Sequence, residues 1–301
     1  MRGQATDSRE VDVVPLSKYT GAEIRGIDLS SELDAAAVRA IREALLRWRV
    51  VIFRAQHLTR DAHVAMGSRF GEVATAHPTL PARFPERPEI LVLEKDPQSE
   101  APGGSAIDHR WHTDVTYVEV PPMGSILRAV QVPAYGADTE WTNLVAAYAT
   151  LSEPLRSMID GFTAVHENVL HLVRGEPTPL MQAFMAKRLT ALHPVVTVHP
   201  ETGERVLYVN PDYTSHIVEL SRRESHHVLA CLNEHLASRE FTVRLRWEPG
   251  DVAFWDNRST AHVAPNDVPE GSHRVMERIT LTGTQPVGVN GQVSRTLLGD
   301  V

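Results

Sequence analysis

Two histidines and one aspartate have the types and the spacing of a metal-binding set. His112 and Asp114 are separated by Thr113 alone, and His262 follows far along the chain. Two neutral imidazoles and one carboxylate can occupy one face of an octahedral metal ion and leave three positions open. This ligand set is typical of non-haem Fe(II) oxygenases, in which the open positions accept a bidentate co-substrate together with O2. The sequence therefore predicts a catalytic metal centre at these three residues.

A His-x-Asp pair by itself is weak evidence, because a neighbouring imidazole and carboxylate are more often hydrogen-bonded to each other than bound to metal. Two further features favour the metal. Alternate residues of a strand project to the same side, so His112 and Asp114 can point at one ion. His262 follows an apolar stretch at 251–255 that is predicted to be a strand, as expected for a ligand at the rim of a β core.

Two arginines near the C-terminus are candidate anion-binding residues. The period of two along a strand places Arg274, Met276 and Arg278 on one face, while Val275 and Ile279 fall on the other. A guanidinium pairs bidentately with carboxylate or sulfonate-like groups. The two arginines could therefore anchor two anions in one cavity. An exposed edge strand with solvated arginines is the alternative.

Short strands and a few helices must position these residues. Asp34 and Thr59 are typical helix N-caps, and apolar residues at helical spacing follow each of them. Two further helices are predicted from about 144 to 159 and from about 224 to 237. Strands are predicted at 11–15, 22–27, 49–54, 89–94, 125–132, 138–143, 195–199, 206–209, 242–247, 251–255 and 274–283.

Many short strands between Pro- and Gly-marked turns indicate a mainly β fold with flanking helices and a closed or double-sheet core. A doubly wound parallel fold is disfavoured, because the chain has no GxGxxG turn and no regular βα alternation in its second half. No repeat or linker divides the chain, so we predict a single domain over 1–301, with a disordered tail at about 1–10. The Pro- and Gly-rich stretch at about 78–104 is a candidate active-site lid, and a plain surface connection is the alternative.

Composition restricts the classes of partner. The chain has 30 Lys and Arg against 38 Asp and Glu, a formal net charge of −8 that disfavours nucleic-acid binding. We see no signal peptide, and no apolar stretch approaches the roughly 20 residues of a membrane span. The single cysteine, Cys231, rules out an internal disulfide and is expected to pack in the core. We therefore expect a soluble cytoplasmic protein with no nucleic-acid or membrane partner.

Four separated segments resemble, in spacing and order, the taurine dioxygenase (TauD/TfdA) family of Fe(II)/2-oxoglutarate-dependent dioxygenases. They are W-H-T-D-V-T at 111–116, G-A-D-T-E-W at 136–141, W-D-N-R-S-T-A-H at 255–262 and R-V-M-E-R at 274–278. The family also includes alkylsulfatases and aryloxyalkanoate dioxygenases. The resemblance extends over nearly the whole chain, from about Val11 to Pro286.

The resemblance implies a double-stranded β-helix (jelly-roll, cupin-like) core and a role for each motif residue. His112, Asp114 and His262 would hold Fe(II). Thr139 and Arg274 would bind the distal carboxylate of the co-substrate 2-oxoglutarate, and O2 would take the last metal position.

On the substrate side, the resemblance implies that Arg278 meets the anionic group of the substrate and that His77 lies beside it. Two positions depart from the taurine-specific members: Leu80 replaces a tyrosine, and Asp108 replaces an asparagine. An apolar Leu80 fits a longer or more apolar substrate than taurine. Asp108 could meet a cation or face solvent. Both are included among the predicted substrate residues.

The reaction implied by the resemblance is hydroxylation of a C–H bond in a small anionic substrate, with succinate and CO2 as co-products. A sulfonate or an alkyl sulfate ester is the first candidate, with release of sulfite or of sulfate and an aldehyde. An aryloxy or alkyl carboxylate, or an intermediate of secondary metabolism, is the alternative with the same chemistry. A non-catalytic jelly-roll binding protein is the alternative of another class. Relatives are often dimers or tetramers, so a homo-oligomer is expected.

Overall fold

A computed structural model describes residues 11–79, 83–95, 110–168, 182 and 186–299 of the chain. The predicted N-terminal tail, Leu80, Asp108 and part of the predicted lid lie outside these residues. The single domain and the lid therefore stay predictions.

The largest sheet combines strands from both halves of the sequence. In spatial order it contains β1 (Asp12–Pro15), β2 (Ala22–Arg25), β3 (Val50–Phe53), β13 (Val252–Asp256), β5 (Gly124–Gln131), β15 (Arg274–Leu281) and β4 (Leu91–Lys95). Strands β2 and β3 are parallel, and the other neighbours in this sheet are antiparallel. The order alternates between distant parts of the chain, as in a jelly roll.

A three-stranded sheet packs against the inner face of the first. It consists of β12 (Thr242–Leu245), β6 (Thr139–Asn143) and β14 (Thr260–Val263). Three tryptophans fill the space between the sheets: the ring centroid of Trp141 lies 5.7 Å from that of Trp255 and 6.2 Å from that of Trp247. Aliphatic side chains from both sheets complete this core. The predicted mainly β, double-sheet core is confirmed.

The remaining strands and the helices surround this core. A four-stranded sheet contains β11 (Thr214–Ile217), β7 (Thr163–Glu167), β8 (Thr190–Pro194) and β16 (Arg295–Leu298), and β9 (Val196–Val198) pairs with β10 (Arg205–Leu207). The described helices are α1 (Ala35–Trp48), α2 (Arg60–Gly67), α3 (Leu144–Thr150), α4 (Glu153–Ile159), α5 (Arg222–Leu236) and a 3-10 turn at Arg239–Phe241. Helices α1 and α2 cover the outer face of the seven-stranded sheet. No helix in the described part of the chain is both long and apolar enough to cross a membrane.

The predicted N-caps are confirmed, whereas the predicted helix from about 144 to 159 is wrong as a single helix. The side chain of Asp34 accepts from the Ala37 N–H, and that of Thr59 from the Ala62 N–H. Between α3 and α4 the chain is extended at Leu151 and Ser152, ahead of Pro154. Proline lacks an N–H donor and clashes with the preceding turn, so it is tolerated only where a new helix begins.

The expectation that Cys231 packs in the core is also wrong, because its side chain is exposed on α5. The buried face of α5 is formed by Ser225, Leu229, Leu232 and Leu236. These residues follow the helical repeat, and position 231 lies off that face.

Candidate active site and metal centre

A short backbone pairing brings the two predicted histidine ligands together. The N–H of His112 donates to the carbonyl of His262 at 2.9 Å, and the N–H of His262 donates to the carbonyl of His112 at 2.7 Å. The centroids of the two imidazole rings lie 4.2 Å apart. Because His262 lies on β14, the pairing fixes the His112 segment to the rim of the three-stranded sheet.

Asp114 completes a cluster of three potential ligands. One donor atom from each of His112, Asp114 and His262 lies within 4.8 Å of the others, and no other metal-binding cluster of three such residues occurs among the described residues. The Nε2 atom of His262 is 3.9 Å from Oδ1 of Asp114. Three donors at this separation can converge on one cation, as the sequence predicted.

The protonation states of the cluster suit a metal ion. Burial lowers the pKa of His262 to about 3, so its imidazole is neutral at neutral pH. Burial alone would raise the pKa of Asp114, but the Arg278 guanidinium, together with the hydrogen bond from Ser125, holds it well below its usual range. His112 Nδ1 lies 3.0 Å from the Arg110 carbonyl, which makes Nδ1 the donor and leaves Nε2 with its lone pair. A metal needs unprotonated ligands of this kind.

Both carboxylate oxygens of Asp114 accept hydrogen bonds from neighbouring strands. Ser125 Oγ on β5 donates to Oδ2 at 2.9 Å, and Arg278 Nη1 on β15 donates to Oδ1 at 2.5 Å. Asp114 and Arg278 are both buried. The guanidinium of Arg278 therefore lies directly beside the candidate metal site.

The two faces of β15 differ as the alternation predicted, and the mostly apolar face also contains one buried carboxylate. Met276 packs with the tryptophans inside the core, on the side of Arg274 and Arg278, while Ile279 packs under the helices. This carboxylate belongs to Glu277, which is buried on the helix side. It accepts hydrogen bonds from Arg60 Nε at 2.9 Å and from Arg128 Nε at 3.1 Å.

Arg274 lies at the start of β15 and lines a cavity of about 110 Å³ with Lys95 and Asp138. Burial lowers the pKa of Arg274 to about 10, so the guanidinium stays charged at neutral pH. Its Nε atom is buried and has no hydrogen-bond partner among the described residues. Thr139 follows Asp138 directly, and its hydroxyl oxygen accepts from Trp247 Nε1 at 2.9 Å, leaving the hydroxyl proton for another acceptor.

His77 lies close enough to the cluster for the charges of Arg278 and Asp114 to act on it. Burial, and next to it the Arg278 charge, lowers the pKa of His77 to about 4. Its Nδ1 accepts from the backbone N–H of Thr79 at 3.2 Å, so the proton is on Nε2, which lies 3.1 Å from the Tyr117 hydroxyl. The described structure thus brings His77 to the site together with the metal cluster and Arg278. Leu80 and Asp108 lie outside the described residues.

The comparisons with known proteins agree with this geometry. A family profile described as "Taurine catabolism dioxygenase TauD, TfdA family" matches residues 12–280. The chain belongs to this family. It is 44% identical to the alpha-ketoglutarate-dependent sulfate ester dioxygenase of Pseudomonas putida, with 97% of this chain and 96% of the relative covered. It is 38% identical to an alkylsulfatase of Acinetobacter baylyi, with 97% and 91% covered.

A solved relative shows the same fold. The crystal structure of a putative alpha-ketoglutarate-dependent taurine dioxygenase from Burkholderia xenovorans superimposes with a TM-score of 0.83 at 44% identity, covering 97% of this chain and 99% of the other. The TauD/TfdA chain described here is therefore a 2-oxoglutarate-dependent dioxygenase that uses Fe(II), 2-oxoglutarate and O2. The donor set of two imidazoles and a carboxylate fits Fe(II).

Several residues of this TauD/TfdA site could not be found from the sequence. Ser125 and Asn257 contact Asp114, and the Tyr213 ring packs edge-on against the rings of His112 and Tyr117, with centroids 6.0 and 5.0 Å apart. Only Asn257 carried a usable signal, because it lies within the W-D-N-R segment near His262. Ser125 and Tyr213 lie in segments with no motif of their own.

Proposed function

We propose that this dioxygenase acts on alkyl sulfate esters and hydroxylates the carbon that carries the ester oxygen. The observation that carries the proposal is the guanidinium of Arg278, which is buried and lies 2.5 Å from the candidate metal ligand Asp114. A fixed positive charge at this point can hold the anionic end of a small substrate beside the metal. The names of the two relatives at 44% and 38% identity, a sulfate ester dioxygenase and an alkylsulfatase, support a sulfate ester.

Hydroxylation of the carbon that carries the ester oxygen would lead to release of sulfate. Insertion of one oxygen atom into the C–H bond next to the ester oxygen gives a hemiacetal-type sulfate. The C–O bond to sulfate then breaks, the hydroxyl proton leaves, and the products are an aldehyde and hydrogensulfate. The second oxygen atom of O2 goes to 2-oxoglutarate, which leaves as succinate and CO2. The atoms and charges balance without a further reductant.

The site residues have three proposed roles: metal binding, co-substrate binding and substrate binding. His112, Asp114 and His262 would hold Fe(II), which when bound supplies the activation of O2 coupled to decarboxylation of 2-oxoglutarate. Arg274 and Thr139 would hold the distal carboxylate of 2-oxoglutarate, since a buried guanidinium Nε and an available hydroxyl proton suit that group.

The proposed substrate side of the metal site has a buried cation and a neutral neighbour. Arg278 would bind the sulfate, while His77 is neutral at pH 7 and adds no second charge. By residue type alone, an apolar Leu80 suits an alkyl chain better than the short amine of taurine. Leu80 and Asp108 remain proposed substrate residues.

A substrate panel tests the proposal. The purified enzyme with Fe(II) and 2-oxoglutarate should turn over medium-chain alkyl sulfates and release succinate, sulfate and aldehyde in equal amounts. Taurine, an aryloxyacetate, an alkyl carboxylate and the parent alcohol of the best sulfate form the comparison set. Preferential sulfite release from taurine, or phenol release from the aryloxyacetate, would overturn the sulfate ester assignment and leave the enzyme class intact.

Replacing Arg278 separates substrate binding from co-substrate use. We expect Arg278→Gln to lower kcat/KM for the alkyl sulfate by about 10- to 100-fold, because a hydrogen-bonded charge contributes about 1.5–3 kcal/mol. Substrate-independent decay of 2-oxoglutarate should persist, and Arg278→Lys should lose less. Succinate release with and without alkyl sulfate measures both rates. Equal loss of the two rates would contradict the assignment of Arg278 to the substrate.

Assembly and location belong to the same proposal. We expect a homo-oligomer, a dimer or tetramer, in the cytoplasm. Light scattering of the purified protein and fractionation of cells that express it measure these properties directly.

A further inference from the structure

The turn between β13 and β14 contains Asn257, whose side chain is hydrogen-bonded to the backbone of Asp114. Oδ1 of Asn257 accepts from the Asp114 N–H at 3.0 Å, and Nδ2 donates to the Asp114 carbonyl at 3.0 Å. Nδ2 also lies 3.2 Å from the Pro122 carbonyl. Asn257 is fully buried. A side-chain amide offers the same donor and acceptor as a peptide group. The Asn257 side chain therefore makes the two hydrogen bonds to Asp114 that the backbone of a neighbouring strand would make in a sheet.

Asp114 needs this partner because the backbone pairing stops two residues earlier. His112 pairs with His262 through both backbone groups, and the Thr113 hydroxyl donates to the Thr260 carbonyl at 2.8 Å. After Asp114 the chain turns sharply, since Val115 has a φ of 58°, a left-handed conformation that is rare for a β-branched residue. Without Asn257, the buried N–H and carbonyl of Asp114 would have no hydrogen-bond partner among the described residues.

Hydrogen bonds and ion pairs fix the conformation of the turn that contains Asn257. The carboxylate of Asp256 accepts from the backbone N–H and from Nε of Arg258, each at 2.9 Å, and lies 2.9 Å from Nε2 of His199. Arg258 in turn contacts Glu201 at 2.7 Å. The Asn257 side chain therefore extends from a rigid turn that also leads directly into β14 and His262.

From this geometry we propose that Asn257 is a positioning residue for the metal, which fixes the Asp114 carboxylate relative to His262. The inference rests on the metal site of the proposed function. Outer-shell partners that orient a ligand typically change metal affinity about 10- to 100-fold when they are removed. Asn257 would orient Asp114 through hydrogen bonds to its backbone, whereas Ser125 donates a hydrogen bond to its carboxylate.

Metal affinity and stability, measured on the same proteins, test this role. We expect Asn257→Ala to weaken Mn(II) binding to the metal-free protein by about 10- to 100-fold in calorimetric titration. Ser259→Ala is the matched control, because the Ser259 hydroxyl is buried in the same turn and has no hydrogen-bond partner among the described residues. This control should bind Mn(II) within about twofold of the wild type. A role confined to folding would instead lower the Tm of metal-free Asn257→Ala and leave its Mn(II) affinity unchanged, which would overturn the proposal.

A second variant covers the case in which the alanine protein does not fold. Asn257→Asp keeps the size and the acceptor but loses both donated hydrogen bonds. Added negative charge near a cation site would by itself strengthen Mn(II) binding. Weaker Mn(II) binding by Asn257→Asp would therefore support a positioning role, and unchanged or stronger binding would overturn it.

The wild type separates failure of the metal site from failure of the Asn257 role. Wild-type protein that binds no Mn(II) would refute the proposed metal site. Wild-type binding with equal affinity in the variants would refute only the role of Asn257.

Discussion

Asp114→Asn and His112→Ala should both abolish saturable Mn(II) binding and reduce alkyl sulfate turnover to background, yet differ in stability. Asp114→Asn leaves the buried Arg278 guanidinium without its carboxylate partner. Breaking a buried ion pair from one side typically costs about 3–5 kcal/mol, because an uncompensated charge remains. His112→Ala removes a ligand and leaves the Asp114–Arg278 pair intact. We therefore expect the metal-free Asp114→Asn protein to be the less stable of the two.

Chemical denaturation of the metal-free proteins and Mn(II) titration of the folded ones measure the two effects separately. The double variant Asp114→Asn with Arg278→Met is an informative control, since removing both charges should restore much of the lost stability but none of the metal binding. Metal binding like that of the wild type in both single variants would refute the metal assignment. Equal free energies of unfolding would refute the buried ion pair as a contributor to stability.

The predictions that the structure confirms depend on short-range patterns. The helix N-caps at Asp34 and Thr59 each involve a backbone N–H three residues away, so the signal lies within a few letters of sequence. The alternation along β15 separates Arg274 and Arg278 from Ile279 in the same way. The spacing of His112 and Asp114 is equally local, and a donor atom of each lies within 4.8 Å of a donor atom of His262.

The contacts that could not be predicted join residues far apart in the chain. Glu277 lies on the face that the pattern assigned to apolar residues, and its partners, Arg60 and Arg128, come from a helix and a strand more than a hundred positions away. A pattern of period two identifies which face a residue is on, but it carries no information about what covers that face. Pairing of distant strands decides this, and no local signal encodes it.

The buried histidines illustrate the same limit. His193 Nε2 lies 2.7 Å from the Thr116 carbonyl, and its Nδ1 lies 2.7 Å from the Ser294 hydroxyl. Both ring nitrogens of His193 therefore have partners, and burial lowers its pKa to about 4. His193 is thus a neutral hydrogen-bonding residue outside the cluster of potential ligands. Among fifteen histidines, the sequence selects His112 by its spacing from Asp114, and His262 by its position after a predicted strand; the resemblance to the family then supports both. Residue type alone does not distinguish a ligand from a buried structural histidine.

Arg274→Gln should lower the affinity for 2-oxoglutarate by about 30- to 5000-fold, the range that corresponds to about 2–5 kcal/mol for truncating one partner of a buried charge pair. Arg274 is suited to this role because its Nε is buried without a partner in the described structure and its charge persists at neutral pH. Arg274→Lys should recover part of the loss, since lysine restores the charge but not the two-pronged geometry.

Comparing the affinities for 2-oxoglutarate and pyruvate separates the contribution of Arg274 from general damage to the site. Pyruvate has the same 2-keto acid group as 2-oxoglutarate but lacks the distal carboxylate. The wild type should therefore prefer 2-oxoglutarate strongly, whereas Arg274→Gln should bind both keto acids with similar, low affinity. Competition assays that follow alkyl sulfate turnover measure both constants, and Mn(II) affinity serves as the control for an intact metal site. A variant that keeps the wild-type preference for 2-oxoglutarate would show that another residue, such as Lys95 on the wall of the same cavity, binds the distal carboxylate.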